Sequence, residues 1–165
     1  MAKKIHGIVL NAELTKDSSI VTTASNVAGA STAILTIEPE QNELIIWPND
    51  NPIMLKLYDS SGNEVEATAT LALYKVWPGR KKEEKLAERV YANWRNTDFA
   101  DQSDPKREPN LTLPFSDDDK MAVVVPPGYK LELRLTSSVT VDWSYASGSN
   151  VTNFVCSIRR EVMTQ

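Results

Sequence analysis

One cysteine and one histidine in 165 residues remove most common chemistries before any pattern is read. Cys156 has no partner within the chain, which excludes an internal disulfide and fits synthesis in a reducing cytoplasm. A zinc site draws on several Cys and His ligands, so zinc is excluded. A Ser–His–Asp arrangement needs its histidine held by an acid, and His6 lies in a segment with little patterning. Basic residues do not exceed acidic ones, 18 against 22, giving a net charge of −4 and arguing against a phosphate-neutralising protein. No apolar run approaches the ~20 residues of a membrane span. The opening ten residues fall short of the ~7–15 apolar residues of a secretory core, so no signal peptide is expected. Pro78-Gly-Arg-Lys-Lys has cations but neither the glycine spacing nor the Ser/Thr of a phosphate loop. We therefore expect no enzyme, no cofactor, no metal, no nucleic-acid partner and no membrane partner.

What the chain does have is alternation. After the apolar run Met121–Val125 and the break Pro126-Pro127-Gly128, Leu131, Leu133 and Leu135 fall on one parity and Lys130, Glu132, Arg134 and Thr136 on the other. A side chain every second residue on one face is the strand period. Shorter runs repeat the signal: Ala33–Ile37, Glu43–Trp47, Ile53–Tyr58, Val65–Trp77, Leu111–Phe115, Val139–Trp143 and Val151–Met163. Turn formers separate them, among them Trp47-Pro-Asn-Asp-Asn-Pro52 and Asp59-Ser-Ser-Gly-Asn63, whose glycine supplies a positive φ. Ile53–Trp77 is predicted to be a hairpin. Short strands at roughly 8–12-residue spacing predict an antiparallel sandwich or barrel, of which we expect the sandwich. About eight runs suit a jelly roll in a single domain.

Residues 80–94 read two ways. Leu86, Val90 and Trp94 stand at i, i+4 and i+8, one helical face, but they also share strand parity. The helix formers at 80–89 favour one short helix there, with extended structure from Val90. The cations Arg80, Lys81, Lys82, Lys85 and Arg89 interleave with Glu83, Glu84 and Glu88, which predicts a self-paired, solvated face.

The remaining candidates are weak. Asp117–Asp119, Asp98/Asp101/Asp104 and Asn49–Asn51 cluster oxygen ligands, but none has the spacing of a calcium loop. Cys156, mid-strand near Phe154 and Ile158, reads as a small buried hydrophobe. Trp47, Trp77 and Trp143 lie near strand ends, where they cap a core or offer a stacking surface to a glycan.

Residues 1–32 differ from the sandwich expected over 33–165. Ile5–Leu10 and Ser19–Thr23 could each pair as a short strand, but the stretches between and after them are polar or rich in small residues and bury little against full backbone entropy, so the segment reads either as a free tail or as an arm ordered on a neighbour. We expect an extended arm that adds a strand to a neighbouring subunit through Ile5, Ile8 and Leu10. On that reading, a chain lacking residues 2–30 still folds.

Taken together, the arm at Met1–Thr32, the lead Val123-Val-Val-Pro-Pro-Gly128 into Leu131/Leu133/Leu135, and the closing strand Val151–Val162 resemble the head decoration, or cement, proteins of tailed bacteriophages. The resemblance covers the whole chain as pattern, without a diagnostic motif. It implies a structural protein of the virion surface that forms homo-oligomers, trimers favoured, and clamps the major capsid protein. A carbohydrate- or receptor-binding sandwich using Trp47, Trp77 or Trp143 is the alternative.

Overall fold

The computed structural model describes residues 6–15, 25–49, 51, 53–94, 113–116, 121–142 and 154–164. Its elements in chain order are β1 (His6–Thr15), β2 (Ser25–Asn26), β3 (Thr32–Ile37), β4 (Glu43–Pro48), β5 (Ile53–Leu55), β6 (Ala67–Trp77), a 3-10 turn (Pro78–Arg80), β7 (Lys82–Trp94), β8 (Ala122–Val125), β9 (Lys130–Ser137), β10 (Val141–Asp142) and β11 (Phe154–Thr164). One large sheet runs β1-β11-β4-β8, the other β3-β9-β6-β7, β10 and β2 form a separate two-stranded sheet, and every pairing is antiparallel.

β1 fills one edge of β11 over residues 155–164, so β5, opposite residues 154–156, shares the other edge with β4. Counting β4 and β5 as one interrupted strand, the long strands follow the order 1-8-3-6 in one sheet and 2-7-4-5 in the other. Every connection between them crosses from sheet to sheet except the β6–β7 hairpin. That is a jelly roll, an all-β antiparallel sandwich as the spacing predicted.

The alternation of β9 does what its pattern requires. Leu131, Leu133 and Leu135 are at most 1% exposed, and Leu133 stands between Leu35 of β3 and Leu73 of β6. The opposing sheet contributes Ile45, Trp47, Val125, Cys156 and Ile158 to the same core. Two turns are set by glycine. Tyr129 N–H donates to Pro126 C=O, with Pro127 and Gly128 (φ +87°) between them, a geometry that needs positive φ at the third residue. In Asp59–Asn63, the Asp59 carboxylate accepts from Ser61 N–H, Asn63 N–H and the Asn63 amide, while Gly62 takes φ +83°.

Two expectations are corrected. No α-helix occurs among the described residues, and 82–94 is the strand β7. Its ladder with β6 passes from Leu73↔Ala87 to Tyr74↔Lys85, so Leu86 is the extra residue of a bulge. Leu86 and Ala87 are consequently both buried, while Val90 is 59% exposed, which no core-facing helix containing all three would allow. Residues 53–77 are not a hairpin: β5 pairs with β11 and β6 lies in the other sheet, so the segment is a crossing between layers. Within the segment expected as an arm over 1–32, β1 pairs with β11 in register from His6↔Thr164 to Thr15↔Val155. An edge with ten residues of backbone to pair is satisfied within the chain.

Candidate functional site

The outer face of the β3-β9-β6-β7 sheet carries a chain of charges. Arg134 Nη2 lies 2.7 Å from both Glu132 Oε2 and Glu83 Oε2, and Lys130 Nζ lies 2.6 Å from Glu132 Oε1. The Arg134 guanidinium also rests 4.0 Å above the Tyr74 ring. The β9 alternation places Lys130, Glu132 and Arg134 on this face, and the β6 pairing Tyr74↔Glu132 sets the ring beside them. Burial works against ionisation of Glu132, but the hydrogen bonds from Lys130 and Arg134 outweigh it and hold its pKa below the ordinary value. The Arg134 hydrogen bond lowers the Glu83 pKa as well, and Glu83 raises that of Arg134. Lys85 and Glu88 make a further exposed pair at 2.9 Å.

Those pairings split the basic segment. Glu83, Lys85 and Glu88 are engaged on the strand, whereas Arg80, Lys81 and Lys82 stand exposed at the hairpin tip with no ion pair among the described residues. Lys81 takes φ +47°, the one non-glycine residue in the left-handed region among those described. The expected self-paired face therefore holds for the strand and fails at the tip.

Beneath the tip, Trp77 meets Tyr129 edge-to-face at 5.1 Å, and the ammonium groups of Lys75 and Lys82 each lie 5.6 Å from the Trp77 ring. Lys75 Nζ is also 5.0 Å from Tyr129 and donates to the Val124 carbonyl at 3.2 Å. It thus caps the open edge of β8, beside an open groove of about 220 Å³ lined by Lys75, Glu84, Leu86, Ala122, Val123 and Val124. A lysine laid across a short edge strand discourages a further strand from pairing there.

The sequence-derived candidates do not converge. Trp47 is 0% exposed and its indole Nε1 lacks a hydrogen-bond partner, so it fills the core and cannot stack on a glycan. Trp77 is half-buried and already in contact with Tyr129 and two lysines. Trp143 and Ile5 lie outside the described residues, as do Asp98, Asp101, Asp104 and Asp117–Asp119. Ile8 and Leu10 stand opposite Val162 and Arg160 of their own chain. Asn49 Oδ1 accepts from Phe115 N–H at 2.8 Å and Asn51 is buried, so that loop pins the strand break. Among the described residues, no three His, Cys, Asp or Glu gather to hold a metal. Cys156 is 1% exposed, and burial pushes its thiol pKa up to about 12. Sequence reasoning missed the Arg134 network, whose only signal was the run of alternating charges on β9.

No protein-family model matches the chain, and no curated protein matches it. Among solved structures it is similar to VP17, a capsid protein of bacteriophage P23-77, with a TM-score of 0.55 and 8% identity over 98% of this chain and 99% of that one. At that identity the likeness is one of fold.

Proposed function

We propose that this chain is a structural protein of a bacteriophage particle, of the decoration or cement kind, which oligomerises and bridges contacts between capsid subunits at the particle surface. The observation that carries the reading is the end-to-end correspondence in fold with a phage capsid protein: 98% of one chain against 99% of the other. Fold alone does not dictate function. Two features of the chain itself support the choice. Its exposed sheet face spends Glu83, Glu132, Lys130 and Arg134 on one another rather than on a cleft. Its single thiol is packed in the core. On this reading the work is contact rather than turnover, the partners are further copies of the chain and the major capsid protein, and trimers are the favoured assembly. The glycan-binding alternative loses Trp47 to the core and gains no open aromatic surface at Trp77.

The test is quantitative peptide mass spectrometry of purified particles, combined with the heat resistance of particles made without the gene. The expected result is a copy number in register with the shell and particles that open at lower temperature. Absence from purified particles refutes the proposal.

A further inference from the structure

The two large sheets end in four outer strands, and three of these carry a device that discourages a further strand from joining. β8 has four residues, is followed by Pro126-Pro127, and has its Val124 carbonyl occupied by the Lys75 ammonium at 3.2 Å. β3 has six residues and is broken by a bulge between Ala33 and Leu35. β7 is bulged at Leu86, crowded with Lys82, Glu83, Glu84, Lys85, Glu88 and Arg89, and bridged at Ala87 by Phe115 on the side away from β6.

The fourth, β1, has none of these. Its ten residues, His6-Gly-Ile-Val-Leu-Asn-Ala-Glu-Leu-Thr15, include no lysine, arginine or proline. Its ladder with β11 runs from His6↔Thr164 to Thr15↔Val155 without a bulge. Among the described residues, no strand pairs with its other side. Every second residue of such a strand turns its N–H and C=O groups outward, and a long unbroken row of them is a template for another strand.

We propose that β1 of one copy pairs antiparallel with β1 of a second copy about a two-fold axis at Asn11, so that the two sandwiches share one continuous sheet. The occupant is a second copy because, among the described residues, no other edge of the chain is both long and open, and one two-fold contact satisfies both edges at once. Charge sets the direction. The one acid of β1 is Glu13, and a parallel pairing in register would set Glu13 against Glu13. In the antiparallel pairing centred on Asn11, Glu13 stands opposite Val9, and the two Glu13 positions lie ~13 Å apart along the strands, beyond the ~8 Å screening length at physiological ionic strength. The same centring sets Ile8 opposite Leu14 and Leu10 opposite Ala12, apolar against apolar. An isologous contact closes at two copies, so it links copies of adjacent trimers rather than building the trimer. The inference goes beyond the proposed virion role, and the two fail separately: a particle protein that never pairs through β1 sinks only this one.

Sedimentation equilibrium of the intact chain is expected to give twice the chain mass of 18.4 kDa. Oxidised Asn11→Cys gives a disulfide-linked dimer, because directly opposed residues hold their Cα atoms ~4.5–5.5 Å apart, within reach of a disulfide. The parent, whose one cysteine is buried, stays unlinked. V9C alone also stays unlinked, whereas an equimolar mixture of V9C and E13C links. N11K and N11D each pair roughly tenfold more weakly, since like charges then meet at the axis, and mixed together they regain pairing. Thermal melts matching the parent confirm that the variants fold. The idea is overturned by a parent that sediments as a monomer, the result expected if the edge serves a strand of another protein. It is overturned equally by a dimer in which N11C stays unlinked, the result of copies that exchange β1 or meet elsewhere, and by N11K and N11D that pair as the parent does.

Discussion

Replacing Arg134 by methionine isolates what the sheet-face network contributes. Methionine keeps an apolar stem over Tyr74 but removes the guanidinium that lies 2.7 Å from Glu132 and Glu83. The Glu83 side chain is 49% exposed, so its loss is largely absorbed by water. Glu132 is the decisive group, with a side chain only 10% exposed. Removing one partner of a fully buried pair costs about 3–5 kcal/mol. Here Lys130 remains at 2.6 Å and Arg134 is itself 20% exposed, which brings the expectation down to about 1.5–2.5 kcal/mol at neutral pH.

The same reasoning fixes the pH dependence. The folded-state pKa of Glu132 is depressed, so its stabilisation is present above the ordinary glutamate range and is lost as pH falls through the folded value. In R134M the carboxylate has one cation fewer and takes up its proton at higher pH, relieving the penalty. Urea unfolding followed by tryptophan fluorescence should therefore show a gap between parent and R134M that is widest near pH 7 and narrows towards about pH 3.5. The double variant E132Q/R134M should cost less than the two single changes added together, because it leaves no orphaned carboxylate. A gap below about 0.5 kcal/mol at pH 7, or one that does not change with pH, refutes the account.

Four further outcomes follow from the core and the sheet register. Leu133→Ala, at a site 0% exposed between Leu35 and Leu73, should cost about 2–5 kcal/mol in the same urea assay, and a loss below about 1 kcal/mol would contradict its central place. Cys156, with its thiol pKa pushed up to about 12, should ignore a thiol reagent in the folded protein and react with one equivalent in denaturant; rapid reaction in the native state would place it elsewhere. Leu14 stands opposite Cys156, and directly opposed residues bring Cβ atoms to ~4.5–5.5 Å, so oxidised Leu14→Cys should give a disulfide within one chain, whereas a disulfide-linked dimer would show that β1 pairs between copies. Deleting residues 1–15 should yield aggregated protein by size-exclusion chromatography; a soluble, folded product would restore the arm.

The elements legible in the sequence were those where one period acted alone. Leu131, Leu133 and Leu135 alternate without a competing pattern, and the Asp59–Asn63 and Pro126–Tyr129 turns each announce their glycine. Residues 82–94 were misread because a bulge imitates a helix. Inserting Leu86 into the ladder puts two neighbours inward and shifts later positions, and the resulting spacing of Leu86 and Trp94 fits 3.6 as readily as 2. Composition added to the confusion, since Lys, Glu, Leu and Ala are good helix formers whose preference was overridden by pairing with β6 along its length. The Arg134 network was hidden for a related reason: Glu83 reaches it only because the register of β7 brings that residue two strands from β9.

That β1 is legible only as the run Ile5–Leu10 has a different origin. Its sequence is unremarkable because an edge strand pairs on one side only, and the polar and small residues after it resemble a free tail. Yet in this topology the first long strand lies beside the last, so β11 has its two neighbours only when both termini of the chain are in place. Removing β1 would strip the partner from ten consecutive residues of β11, including those flanking the buried Cys156 and Ile158. Edge backbone groups beside core positions are a template for pairing with other chains. A segment whose loss turns an inner strand into such an edge supports the fold, and exchange of the same register between copies is a route by which it would join subunits.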